Sequence, residues 1–167
     1  MGTHQIDRTI EGPFHQDDPL LLALQFYQEN LYDPAQPKQL AQDPMTTLDV
    51  VRGKPNAGWY ASDMSQLHTQ VKLTHEEDHI LVHYDIDTTG QRLSAEDRQF
   101  WDNEIQALQD TLCDGAQIIN LAEAEGRRAE EQRESSITTG LKWGLGLAIV
   151  IVTIAFLIKT FTNPPTP

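Results

Sequence analysis

The chain reads as an α+β protein: a small domain built from one helix, an antiparallel β-hairpin and a covering helix, followed by a helical spacer and a single C-terminal transmembrane helix. Three observations predict this. Residues 67–73 and 79–87 alternate apolar and polar side chains, the period-two signature of strands with one buried face. Residues 19–32 and 95–112 repeat apolar side chains three and four apart, the period of an amphipathic helix. Residues 143–158, WGLGLAIVIVTIAFLI, are sixteen residues without a charge between Lys142 and Lys159.

Taken in order, residues 1–17 are polar and carry Gly12-Pro13, so an extended or disordered N-terminal arm is expected until it meets a partner. Asp18-Pro19 is a helix start, with Asp as the N-cap and Pro at the first helical position. The helix over 19–32 presents Leu20, Leu21, Leu24, Tyr27 and Leu31, widened by Leu22 and Phe26. Asp33-Pro34, Pro37 and Asp43-Pro44 punctuate a loop. Residues 48–51 form a short apolar strand, and RGKPNAG turns the chain toward Trp59-Tyr60.

The hairpin follows. Leu67, Thr69, Val71 and Leu73 share one face, as do Ile80, Val82, Tyr84 and Ile86, so the register must bring those faces together. Pairing Leu73 with Ile80 and Val71 with Val82 leaves residues 75–78 as a four-residue loop. That register sets His68 opposite Asp85, and with His75, His79 and His83 it makes a titratable, pH-sensitive hairpin an expectation to test. Ser94 and Asp97 form a capping box for the helix over 95–112, whose stripe of Trp101, Ile105, Leu108 and Leu112 is expected to cover the hairpin. Asp114-Gly115 breaks it. Ile118, Ile119, Leu121 and Ala122 close an acidic soluble domain over 18–122.

Residues 123–139 hold charges spaced as Glu123–Arg127 and Arg127–Glu131, the pattern of a solvated helical spacer. The transmembrane helix is expected over 140–161, because about 20 apolar residues span a bilayer core and lysine stems reach toward the interface. Lys142, Trp143 and Lys159 are its anchoring residues, the tryptophan fitting an interfacial belt. Gly140, Gly144 and Ala148, four apart, are its helix-packing interface, since small residues admit a neighbouring helix closely. Residues 162–167 form a short translocated tail. Arg127, Arg128, Arg133 and Lys142 precede the span and only Lys159 follows, so the N-terminal part is expected on the cytoplasmic side. The first residues lack a basic n-region and an apolar h-region, so no cleavable signal is expected. Ile6 stands where a myristoylation motif needs Ser or Thr.

Composition narrows the partners. The chain has 25 Asp and Glu against 12 Lys and Arg, a net charge of -13. Phosphate backbones need clustered cations, so nucleic acid is excluded and a basic protein face is the complementary partner. A lone Cys113 beside Asp114 reads as structural, since a negative neighbour disfavours the thiolate.

Two strings match catalytic patterns. His75-Glu76-Glu77-Asp78-His79 is literally H-E-x-x-H, but a zinc protease needs it on a helix, and here it spans the predicted hairpin loop. Asp87-Thr88-Thr89-Gly90-Gln91 resembles the D-x-x-G-Q segment of small GTPases. That family's phosphate loop has no counterpart, since Gly53-Lys54 is followed by Pro55, and the five residues read as a strand end and a turn. No catalytic, cofactor-binding or metal-ligating residue is assigned. The sequence thus predicts a non-catalytic accessory or adaptor subunit of a membrane complex, partnered by other transmembrane subunits. A self-associating tail-anchored regulator is the alternative, and a zinc enzyme built on the HEEDH loop comes third.

Overall fold

Alternation in two neighbouring strands organises the domain. In β4 (Thr69–Glu76) and β5 (His79–Asp87), Thr69, Val71, Leu73, Ile80, Val82, Tyr84 and Ile86 turn inward and are buried. The structure, a computed structural model, describes residues 2–36 and 45–134. Three further strands complete an antiparallel sheet of order β1-β5-β4-β3-β2: β1 (Thr3–Glu11), β2 (Asp33–Pro34) and β3 (Thr47–Arg52). The architecture is α+β, and the expected hairpin is the centre of a five-stranded sheet.

The register of that hairpin differs from the sequence expectation. Leu73 pairs with Val82, Val71 with Tyr84 and Thr69 with Ile86, so the ladder runs on to Glu76↔His79 and the turn is only Glu77-Asp78. Glu77 takes a left-handed φ of 51° to close it. Alternation fixed the parity of the pairing, because a shift of two residues keeps every side chain on its face. Contacts beyond the hairpin selected the longer ladder: His75 meets the Phe14 ring edge-on at 5.6 Å, and Gly12 N–H donates to Asp78 O at 2.7 Å.

Residues 3–11, expected as an extended or disordered arm, are extended and paired with β5 of their own chain along their whole length. Ile6 and Ile10 enter the core from this strand. Helix α1 (Pro19–Glu29) starts as expected, with the Asp18 carboxylate accepting from Leu21 N–H at 3.1 Å. It ends at Glu29, three residues before the expected end at Tyr32, with Asn30 as its C-cap and Leu31 at φ 66°. Helix α2 (Ala95–Asp114) has the full capping box between Ser94 and Asp97. Gly115 ends it in the left-handed conformation at φ 65°, where a side chain would be strained.

Both helices fill the same face of the sheet. Phe26 and Tyr27 of α1 and Phe100, Trp101, Ile105, Leu108 and Leu112 of α2 join the strand side chains in one core. Each such side chain contributes roughly 1.5–3 kcal/mol on burial. The chain divides into two compact units, residues 1–127 and 128–167. Residues 121–134 form a third helix, α3. Its start belongs to the first unit: Asn30 Oδ1 accepts from Leu121 N–H at 2.8 Å while Asn30 Nδ2 donates to Ile119 O at 3.1 Å. Ala122 is buried there, and Ile118 and Leu121 pack half-buried on the core. The second unit contributes residues 128–134, all helical.

Candidate interaction site

Which residues reach a partner depends first on the two faces of the sheet. On the inner face, β3 carries Leu48, Val50 and then Arg52, and α2 carries Glu104 between Trp101 and Leu108. These two charges meet. Arg52 Nη1 donates to Glu104 Oε2 at 2.8 Å and to Asn30 O at 3.2 Å. The other carboxylate oxygen accepts from the hydroxyls of Tyr32 at 2.8 Å and Tyr84 at 3.2 Å. The Tyr84 hydroxyl points its one hydrogen at Glu104, so Tyr27 donates to Tyr84 across their 2.9 Å separation.

Burial sets the electrostatics of this cluster. Removal from water pushes the Tyr27, Tyr32 and Tyr84 phenols well above their ordinary range. Burial opposes the Arg52 charge, but the Glu104 carboxylate and the neighbouring tyrosines outweigh it and hold the proton more tightly than usual. Among the described residues, Arg52 Nε and Nη2 find no hydrogen-bond partner. Aromatic faces lie against that guanidinium instead, its carbon standing 4.2 Å from the Tyr32 centroid and 5.1 Å from that of Phe100. The cluster is sealed, and its chemistry is to lock α2 onto β3 and β5.

The outer face is polar. Crossing the strands, Asp7, His83, Lys72 and Asp49 stand in one row, Glu11, His79 and Glu76 in another, and Gln5, Asp85, Gln70 and Val51 in a third. Two shallow cavities of about 300 and 520 Å³ share Lys72 and His83. His83 Nδ1 lies 2.6 Å from Asp7 Oδ1, and because a carboxylate oxygen accepts, Nδ1–H is the donor of that bond. Asp87 at the strand end is held below the usual carboxylate range by the Thr89 side chain, then by the Thr89 and Asn56 N–H groups. Carboxylates therefore dominate this face.

The sequence-derived candidates are distributed as follows. Gly140, Gly144, Ala148, Lys142, Trp143 and Lys159 lie outside the described residues. Among the described residues, no helix is long and apolar enough to cross a membrane. His75 and His79 do not converge: the strand places His75 on the inner face beside Phe14 and His79 on the outer face. The H-E-x-x-H string is a strand–turn–strand, and period two separates its histidines where a helix would align them. His79 instead joins Glu11 and Asp78, with one ligand atom of each within 4.8 Å of the others on an open, acidic surface. His68 is not opposite Asp85, which pairs with Gln70; its backbone O accepts from Asp87 N–H at 2.8 Å. The Cys113 thiol is pushed up by burial and then by Asp114 and Asp110, in the direction its neighbours imply.

Sequence reading missed the Arg52–Glu104 pair. The signal was available: an Arg at an inward position of a strand and a Glu inside the apolar stripe of a helix each imply a buried partner. Neither residue names the other, because they lie on elements joined only by tertiary packing. No protein-family model, curated protein or solved structure matches the chain.

Proposed function

We propose that the chain is a non-catalytic accessory or adaptor subunit of a membrane protein complex. Residues 140–161 form its single transmembrane helix, and the acidic domain stands on the cytoplasmic side. The observation that carries this reading is the uncharged run 143–158 between Lys142 and Lys159. Gly140, Gly144 and Ala148 supply the close-packing stripe for a neighbouring span. The domain adds a surface that fits a basic protein face. Asp7, Glu11, Asp49, Glu76, Asp85 and Asp87 share the outer side of the sheet with Lys72 as its one lysine.

Purification through an N-terminal tag in mild detergent, followed by native mass analysis, tests this. Membrane proteins co-purifying in fixed stoichiometry are the expected result, and Gly144→Leu releases them. A lone monomer overturns the subunit reading. A symmetric oligomer dispersed by Gly144→Leu replaces it with the self-associating regulator.

A further inference from the structure

At one end of the sheet, where β1 begins and β5 gives way to α2, the domain departs from its own charge pattern. A cavity of about 590 Å³ opens there, lined by Thr3, His4, Thr88, Arg92, Ser94 and Arg98 among others, and among the described residues no carboxylate is in its lining. In a chain with 25 acidic residues against 12 basic ones, two guanidiniums and an imidazole around one cavity are unusual. Among the described residues, neither arginine is spent on an ion pair. Arginine–carboxylate pairs form at Arg8, Arg52 and Arg127, and among the described residues Arg92 and Arg98 have no carboxylate within 4.0 Å.

The nearest acids are otherwise engaged or outside the lining. The Asp97 carboxylate accepts from Ser94 N–H at 2.7 Å. Asp87 accepts from Asn56 N–H at 3.0 Å and Thr89 N–H at 2.9 Å. Glu96 also lies in the first turn of α2 and outside the lining. The walls are firmly placed: Thr88 N–H donates to Gly2 O at 2.8 Å and Gln91 N–H to Thr88 O at 2.9 Å. Behind His4 lies the wholly buried Trp101, ring centroids 6.3 Å apart, and its indole N–H has no partner among the described residues. Trp59 leans on Gly90, which leads into Gln91 and Arg92, and is 72% exposed beside Tyr60 at 67%.

We propose that this cavity is a binding site for a phosphate ester. One guanidinium fork saturates a planar carboxylate, whereas two forks from separate positions address different oxygens of a tetrahedral anion. The Thr3, Thr88 and Ser94 hydroxyls supply further donors, and the volume leaves room for the alcohol portion of the ester. The exposed Trp59, packed on Gly90 next to the lining residue Gln91, is the nearby aromatic surface that portion could stack on. Overall acidity does not forbid the site, because at physiological salt the Debye length is about 8 Å and the local cations govern it. The same chemistry describes a soluble phosphorylated metabolite and a lipid headgroup. The site belongs to the folded domain and is independent of the subunit reading.

Calorimetric titration of the full chain in nonionic detergent tests it, with glycerol 3-phosphate as the soluble probe and phosphatidic acid doped into the micelles as the lipid probe. Glycerol and phosphatidylcholine serve as phosphate-free and zwitterionic references. Saturable binding is expected, weakened at least about tenfold in Arg92→Gln/Arg98→Gln and unchanged in Lys54→Gln, an exposed cation outside the lining. Arg92→Lys/Arg98→Lys retains charge, loses the forks and falls between. Binding of glycerol 3-phosphate assigns a soluble ester; binding of phosphatidic acid alone assigns a headgroup. Absence of binding by both probes at millimolar concentration, or equal binding by the Gln double variant with its circular dichroism intact, overturns the site.

Discussion

Helix α2 is tied to the sheet by two arginine–carboxylate pairs of the same chemistry at different depths. Arg52–Glu104 closes at 2.8 Å with side chains 2% and 0% exposed, and Arg8–Asp102 at 3.1 Å with both side chains 52% exposed. The inner pair has no water to fall back on, so its oxygens are shared with Tyr32 and Tyr84. The outer pair is solvated whether or not it forms. Depth, more than distance, decides what each contributes.

The comparison breaks most severely at Glu104. Glu104→Ala leaves a buried guanidinium without its counter-charge, and a loss of about 3–5 kcal/mol is expected in denaturant unfolding of the domain. Arg52→Met/Glu104→Leu removes both charges and is expected to recover most of that loss. If the single and double variants are equally unstable, the pair has a role beyond mutual neutralisation. Tyr32→Phe sharpens the point by removing one donor to the same carboxylate, at an expected 1–3 kcal/mol, roughly.

The tyrosines also set a pH limit. The Tyr27, Tyr32 and Tyr84 phenols hold their protons above the unfolded value of about 10, so the folded state binds more protons there. Their contribution is complete below that pH and is lost as pH rises beyond it. Ultraviolet titration is expected to show these phenols ionising together with loss of the far-ultraviolet helix signal; ionisation with the fold intact contradicts the sealed cluster.

Smaller effects belong to the surface. Ser94→Ala removes the N-cap of α2 and is expected to cost about 1 kcal/mol by the same unfolding measurement. Asp102→Ala, at the exposed pair, is expected to change stability by less than about 1 kcal/mol, and added salt is expected to erase the difference. A larger cost would mean that the outer pair behaves as a buried one.

Helix starts, strand faces and the α2 cap were legible in the sequence because each is a local decision. Asp18 caps its own helix, Ser94 and Asp97 answer each other three residues apart, and Val71 and Val82 face inward by alternation alone. The hairpin register was not legible. Two-residue and four-residue turns satisfy the same alternation, and Gly12 and Phe14, which lie 66 and 61 residues before their partners Asp78 and His75, favoured the first. Likewise β1 looked like a free arm because its partner strand lies far along the chain.

By itself the sequence determined the α+β class, the acidic domain and the uncharged run 143–158, since composition and periodicity are properties of single segments. Only the tertiary structure decided that Arg52 meets Glu104, that His75 and His79 part to opposite faces, and that Arg92, Arg98 and His4 gather around one cavity. Those outcomes join residues from elements distant in the chain. Packing brings such residues together, and no local preference encodes it.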